Sequence, residues 1–116
     1  MSNYKNLLIW EKSDVLALQV YKLTENFPKQ VLFGITSQLR RAVLSVPTNI
    51  VEGYNRKSKK ELHRFIDIAL GSLAETEYLI EFSKRLEYIK TDIPHIHSMI
   101  TKVGKLLWSF QAALKR

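Results

Sequence analysis

The chain contains no cysteine, so disulfides and thiolate metal sites are excluded, and a reducing compartment suits it. Long apolar runs are missing as well. The run from Leu7 to Trp10 ends at Glu11 and Lys12, too short for the core of a secretory signal and far below the ~18 consecutive apolar residues of a membrane span. The expected location is the cytoplasm, with no membrane partner. With only 4 glycines and 3 prolines, the chain has no Gly-rich phosphate loop and no low-complexity segment, and it carries no nucleophile elbow or Ser/His/Asp arrangement. The three histidines, His63, His95 and His97, provide neither of the Glu-x-x-His motifs of a di-iron bundle, and His95 and His97 point to roughly opposite sides of a helix turn. No metal, no cofactor and no enzymatic activity are expected. Acidic residues are also few, 11 against 18 Lys and Arg, a net charge of +7 that favours acidic partners such as nucleic acid.

What remains is helical periodicity. The 116 residues, 46% of them apolar, suffice for one core and not for two. Four segments at about 8–25, 35–54, 59–87 and 93–115 repeat apolar residues in threes and fours. In the first, Trp10, Ala17, Val20, Tyr21 and Thr24 share one side with Phe27 beyond them, and Ile9, Leu16 and Leu23 form a neighbouring stripe; Pro28 stops the helix. The second carries Leu39, Val43, Val46, Ile50 and Gly53. Pro47 lies inside it, and because the pattern resumes on the same face the expectation is a kink and not a stop. Ser58 and Glu61 form a capping box that starts the third helix, whose core runs from Leu62 through Phe65, Ile66, Ala69, Leu73, Thr76, Leu79 and Ile80 to Leu86. Thr91 or Asp92 is expected to cap the fourth, with Pro94 in its first turn and Ile93, Ile96, Ile100, Val103, Leu107, Phe110 and Leu114 on its seam. Short connections join helices two, three and four. The predicted fold is all-α, an antiparallel up-down four-helix bundle with a Pro-kinked second helix, in one domain over 1–116.

Three groupings stand out. Gln38, Arg41, Ser45, Asn49 and Glu52 recur in threes and fours on helix two, and Ser72 and Glu75 follow Gly71 on helix three, where a small residue would let the helix backbones approach. This polar cluster reads either as a structural network that fixes helix register or as a functional site, since buried polar groups left unpaired cost ~1 to 3 kcal/mol each. The kink at Pro47 either opens a small pocket between Ser45 and Asn49 or merely curves the helix. Arg56, Lys57, Lys59, Lys60 and Arg64 gather five positive charges at the corner between helices two and three; phosphate backbone is their natural partner, a solvated helix start the plain alternative. Cations at a helix N-terminus oppose its macrodipole, which leans toward a partner. Finally, Leu44 and Val51, with Pro47, lie away from the polar stripe of helix two, and Trp108 lies off the seam of helix four, which together suggest a homo-oligomer interface.

Gln38-Leu39-Arg40-Arg41-Ala42, then Ser45-Val46-Pro47-Thr48-Asn49-Ile50-Val51-Glu52-Gly53, then Phe65 and Gly71-Ser72-Leu73-Ala74-Glu75 resemble the four-helix-bundle family of 23S rRNA-intervening sequence proteins; Phe27-Pro28 and Phe33-Gly34 fit as well. The likeness spans nearly the whole chain. It implies a bundle without known enzymatic activity that assembles as a ring, a homopentamer, similar in shape to the basic pentameric accessory proteins of diversity-generating retroelements. The expected function is a non-enzymatic, oligomeric bundle that binds structured RNA, ribosomal RNA included, or a ribonucleoprotein. Two alternatives stay open: an adaptor ring for a protein partner, and a small-molecule binder or enzyme using Asn49, Glu52, Ser72 and Glu75.

Overall fold

The computed structural model describes residues 3–115. Four helices dominate it: α1 (Leu8–Thr24), α2 (Ser37–Tyr54), α3 (Lys59–Arg85) and α4 (Pro94–Leu114), with short 3-10 turns at Tyr4–Asn6 and Lys29–Val31. Among the described residues there is no strand. A helix rises about 1.5 Å per residue, so the 27 residues of α3 account for most of the 44 Å long axis of the molecule.

The order of contacts fixes how the helices run. Gly53 lies against Phe65, Ser45 bonds Ser72 and Gln38 bonds Glu75, so residue numbers fall along α2 as they rise along α3. Likewise Gln111 meets Asp67 and His97 meets Lys84, which sets α4 antiparallel to α3. Arg40 near the start of α2 reaches back to Thr24 at the end of α1, and α1 also packs on α4. Apolar faces from all four helices meet in the middle: Leu16 and Val20, then Leu39, Val43, Val46 and Ile50, then Ile66 and Ile80, then Ile96, Val103 and Leu107, all shut off from solvent.

Four buried polar residues on these inner faces find an acceptor within their own helix. The hydroxyls of Ser13, Thr24, Thr76 and Ser83 donate to the carbonyls of Ile9, Val20, Ser72 and Leu79, each four residues back in the same helix. That local pairing removes the cost of burying an unpaired hydroxyl.

Helix ends follow recognisable chemistry. The Ser58 hydroxyl accepts the amide of Glu61 at 3.1 Å, capping α3 as its sequence predicts. At the other end of α3 the Tyr88 amide donates to the Ser83 carbonyl and the Glu87 amide to the Lys84 carbonyl, while Glu87 adopts φ 65°. This is the paired closure that usually places glycine at the left-handed position. Leu86, expected in the core, is instead exposed at this terminus. Neither Thr91 nor Asp92 caps α4: Ile93 holds the cap position with no side-chain bond and Pro94 is the first helical residue, where its missing amide costs nothing.

The second helix departs from expectation at its start. Leu32–Thr36 winds as a wide π turn broken at Gly34 (φ −110°, ψ −114°), so α2 begins at Ser37 and not at Ile35. It then passes through Pro47 without ending. Proline withholds the amide that would bond the Val43 carbonyl; just beyond, the Thr48 hydroxyl and the Asn49 amide donate to the Leu44 and Ser45 carbonyls, both at 2.8 Å.

Candidate functional site

Along the α2–α3 seam the predicted polar cluster is brought together only in part. Ser45 is its centre. The Ser72 hydroxyl donates to the Ser45 hydroxyl at 2.8 Å, and the Asn49 side-chain amide donates to both the hydroxyl and the carbonyl of Ser45 at 2.8 Å. Asn49 thereby occupies the space beside Pro47 where a small pocket was the alternative to simple curvature. Two turns toward the start of α2, the Gln38 amide donates to Glu75 at 3.3 Å in an exposed position. Arg41 is exposed, and Glu52 is exposed and pairs with Arg56 at 3.8 Å.

The seam opens to solvent as a groove of about 540 Å³ lined by Gln38, Arg41, Ala42, Ser45, Ser72 and Glu75. Asn49 and Glu52 are not among its walls. The four residues of a would-be enzyme site, Asn49, Glu52, Ser72 and Glu75, therefore do not share one cavity. What the geometry provides is a bonded interior (Ser45, Asn49, Ser72) and a hydrophilic rim (Gln38, Arg41, Glu75).

The close backbone approach expected at Gly71 occurs elsewhere. A Cβ placed on Gly71 meets nothing within 4 Å, whereas one on Gly53 would lie 2.7 Å from the Phe65 Cβ and 3.0 Å from Leu62 Cδ1. Gly53 lets α2 and α3 touch at the corner where the short link to Lys59 begins. Steps of three and four mark a shared face, but they do not say which glycine on it meets a neighbour.

At that corner Arg56, Lys57, Lys59, Lys60 and Arg64 are all exposed. Two of them are fixed by an aromatic ring: the guanidinium carbons of Arg56 and Arg64 each lie 5.0 Å from the centre of the Phe65 ring, close enough for cation–π attraction. Glu52, Glu61 and Asp67 are the nearest acids in sequence. The last turns of α4 arrive at the same end of the bundle, where the Gln111 amide donates to Asp67 and to the His63 carbonyl and Lys115 follows. His63 also faces Asp67 at 3.8 Å, and its Nε2 is buried without a partner. Gln111 and Asp67 formed no part of the predicted site, since one amide and one carboxylate far apart in sequence carry no spacing signal.

Among the residues proposed for a subunit interface, Leu44 is 47% and Trp108 63% exposed, while Val51 is half-buried. Pro47, on the same side of α2, is buried. The most exposed large apolar residue is Phe33, at 94%, in the turn before α2. No group of three His, Cys, Asp or Glu side chains gathers among the described residues, and no helix there is long and apolar enough to cross a membrane.

Fold and seam together define a small helical bundle with a hydrophilic α2–α3 junction and a basic corner. Residues 5–109 match the family model described as 23S rRNA-intervening sequence protein. The chain belongs to that family. Among solved structures it is similar to a protein of unknown function from the S23 ribosomal protein family of Bacteroides thetaiotaomicron, with 29% identity, a TM-score of 0.75, and coverage of 90% of this chain and 96% of that one. No curated protein gives a match.

Proposed function

We propose that this protein is a non-enzymatic binding module that engages structured RNA, ribosomal RNA included, through the corner from Arg56 to Arg64. One observation carries the reading. Five cations lie within nine residues at an exposed turn, and two of them, Arg56 and Arg64, are held over Phe65 while remaining exposed, Arg56 also pairing with Glu52. The lysines stand where α3 begins, against the helix dipole, so a polyanion relieves their mutual repulsion. Support comes also from α4 and its tail. From Ile93 to Arg116 the chain has no acidic residue, and Gln111 in the last turns of α4 bonds Asp67 and the His63 carbonyl beside the same corner.

The test is binding of a labelled RNA hairpin across a salt series. Each neutralised phosphate contributes roughly −0.7 to −0.9 to the slope of log affinity against log salt, so four or five contacts give a slope of about −3 to −4.5. Joint reversal of Lys57, Lys59 and Lys60 to glutamate is expected to weaken binding more than about tenfold and to flatten the slope by about 2 to 3. Undetectable or salt-independent binding overturns the proposal.

A homo-oligomeric ring, the pentamer that the family likeness implies, is the second element of the reading. It is favoured by two exposed apolar side chains, Leu44 on α2 and Trp108 on α4. Apolar groups on different helices of one subunit suit head-to-tail contacts, which close into rings where the rotation between subunits closes. Leu44→Glu and Trp108→Glu should each lower the mass seen by light scattering. If they abolish capture of a protein partner while the lysine reversals do not, the adaptor role replaces RNA binding.

A further inference from the structure

At the opposite end of α2 from the basic corner, about 27 Å away for an 18-residue helix, a second groove of about 340 Å³ is lined by Tyr21, Leu32, Phe33, Thr36, Arg40 and Arg41 among others. That volume lies in the range of small-ligand sites. Three observations bear on what it would hold. Arg40 is held in place from below: its Nε donates to the Thr24 hydroxyl at 2.8 Å, its Nη2 donates to the Tyr21 carbonyl at 3.4 Å, and its guanidinium carbon sits 4.9 Å from the Tyr21 ring centre. Those bonds use two of the five N–H groups a guanidinium carries. Among the described residues neither Arg40 nor Arg41 comes within ion-pair distance of a carboxylate.

The second observation is Thr36. It is only 2% exposed, it lines the groove, and its hydroxyl has no hydrogen-bond partner. A buried hydroxyl left unpaired is costly; its oxygen is shut off from solvent, so a ligand oxygen pairs with it only once the side chain turns toward the groove. The third is Phe33, 94% exposed beside half-exposed Leu32, an apolar wall next to two guanidiniums. Arg40 also serves the C-terminal turn of α1, whose partial negative charge favours a cation there; that role uses the donors facing α1 and leaves the others free.

We infer that this groove is a binding site for a small planar ligand bearing one oxyanion, a carboxylate or a phosphate, with the anion between Arg40 and Arg41 and the ring against Phe33. A pre-set guanidinium fork matches either oxyanion, and an aromatic face beside it selects a flat apolar body. The site does not depend on the RNA reading, because it shares no residue with the basic corner.

Calorimetric titration of the full chain with phenyl phosphate, phenylacetate, inorganic phosphate and 2-phenylethanol tests it. At least one of the two aromatic anions is expected to bind about tenfold or more tightly than either inorganic phosphate or the neutral alcohol. The stronger of the two anions identifies the phosphate or the carboxylate source. Arg41→Gln, at an exposed position that leaves the fold intact, should weaken the aromatic anion at least about tenfold. Phe33→Ala should weaken it about three- to tenfold and leave inorganic phosphate unchanged, and Lys60→Glu should change nothing. Absence of binding by both aromatic anions overturns the inference. So does binding that survives Arg41→Gln and Phe33→Ala unchanged, or that is lost with Lys60→Glu.

Discussion

The Ser72 hydroxyl donates to the Ser45 hydroxyl at 2.8 Å across the α2–α3 seam, and the Asn49 amide closes on the same oxygen at 2.8 Å from one turn along α2. Ser45 is thus shared by two donors, while its own proton remains for a further acceptor. Replacing Ser45 by alanine removes both acceptor contacts, and replacing Ser72 removes one. Ser45→Ala should cost about 1 to 2 kcal/mol and Ser72→Ala about 1 kcal/mol. The double variant should cost less than the sum, because the interaction is already gone in either single one. Urea denaturation midpoints of the four proteins give the coupling; strict additivity would show that the seam bond contributes nothing.

Gly53 at the corner of the α2–α3 contact and Gly71 midway along it predict opposite outcomes. Gly53→Ala drives a Cβ to 2.7 Å from Phe65 Cβ, which forces the corner apart and should cost about 1 to 3 kcal/mol. Gly71→Ala adds a methyl to open space on an exposed helical turn and should stabilise by up to about 1 kcal/mol. Thermal melts of the two variants should move in opposite directions.

Glu87 holds the left-handed position that closes α3, at φ 65°. A side chain there costs roughly 1 to 2 kcal/mol relative to glycine. Glu87→Gly should therefore raise the denaturation midpoint by the equivalent of about 1 kcal/mol. Loss of stability would mean that the carboxylate makes a contact worth more than the strain.

Phe65 separates charge from order at the basic corner. Phe65→Leu keeps every cation but removes the ring under Arg56 and Arg64, each 5.0 Å away. RNA affinity should fall about three- to tenfold while the salt slope stays unchanged, since a cation–π contact contributes on the order of 1 kcal/mol and no phosphate contact is lost. A reduced slope would show that the guanidiniums leave the binding surface when the ring goes.

Helix number and the core seams were legible in the sequence because the apolar spacing in threes and fours is unbroken from Leu39 to Ile50 and from Ile93 to Leu107. Ser58 announced its helix because a hydroxyl three residues before a glutamate is a local pattern. The sequence was less informative where geometry depends on partners far along the chain. Nothing near Arg40 predicts that its guanidinium rests on Thr24 and Tyr21, and nothing near Gln111 predicts Asp67. The π turn at Leu32–Thr36 was invisible for a different reason. Its residues fit an ordinary helical start, and the broken path comes from Gly34, whose backbone freedom permits many routes without choosing one. Of the polar stripe on α2, Arg41 and Glu52 stand exposed outside the seam bonds, because a stripe wider than a seam leaves its edge in water.

Ser13, Thr24, Thr76 and Ser83 each turn their hydroxyl back onto their own helix. Thr24 is tied to α2 as well, since its hydroxyl accepts the Arg40 Nε at 2.8 Å; at Ser13, Thr76 and Ser83 the pairing stays inside the helix, and a Ser to Ala or Thr to Val exchange there asks for no matching change on a facing segment. Sequences can drift here one position at a time.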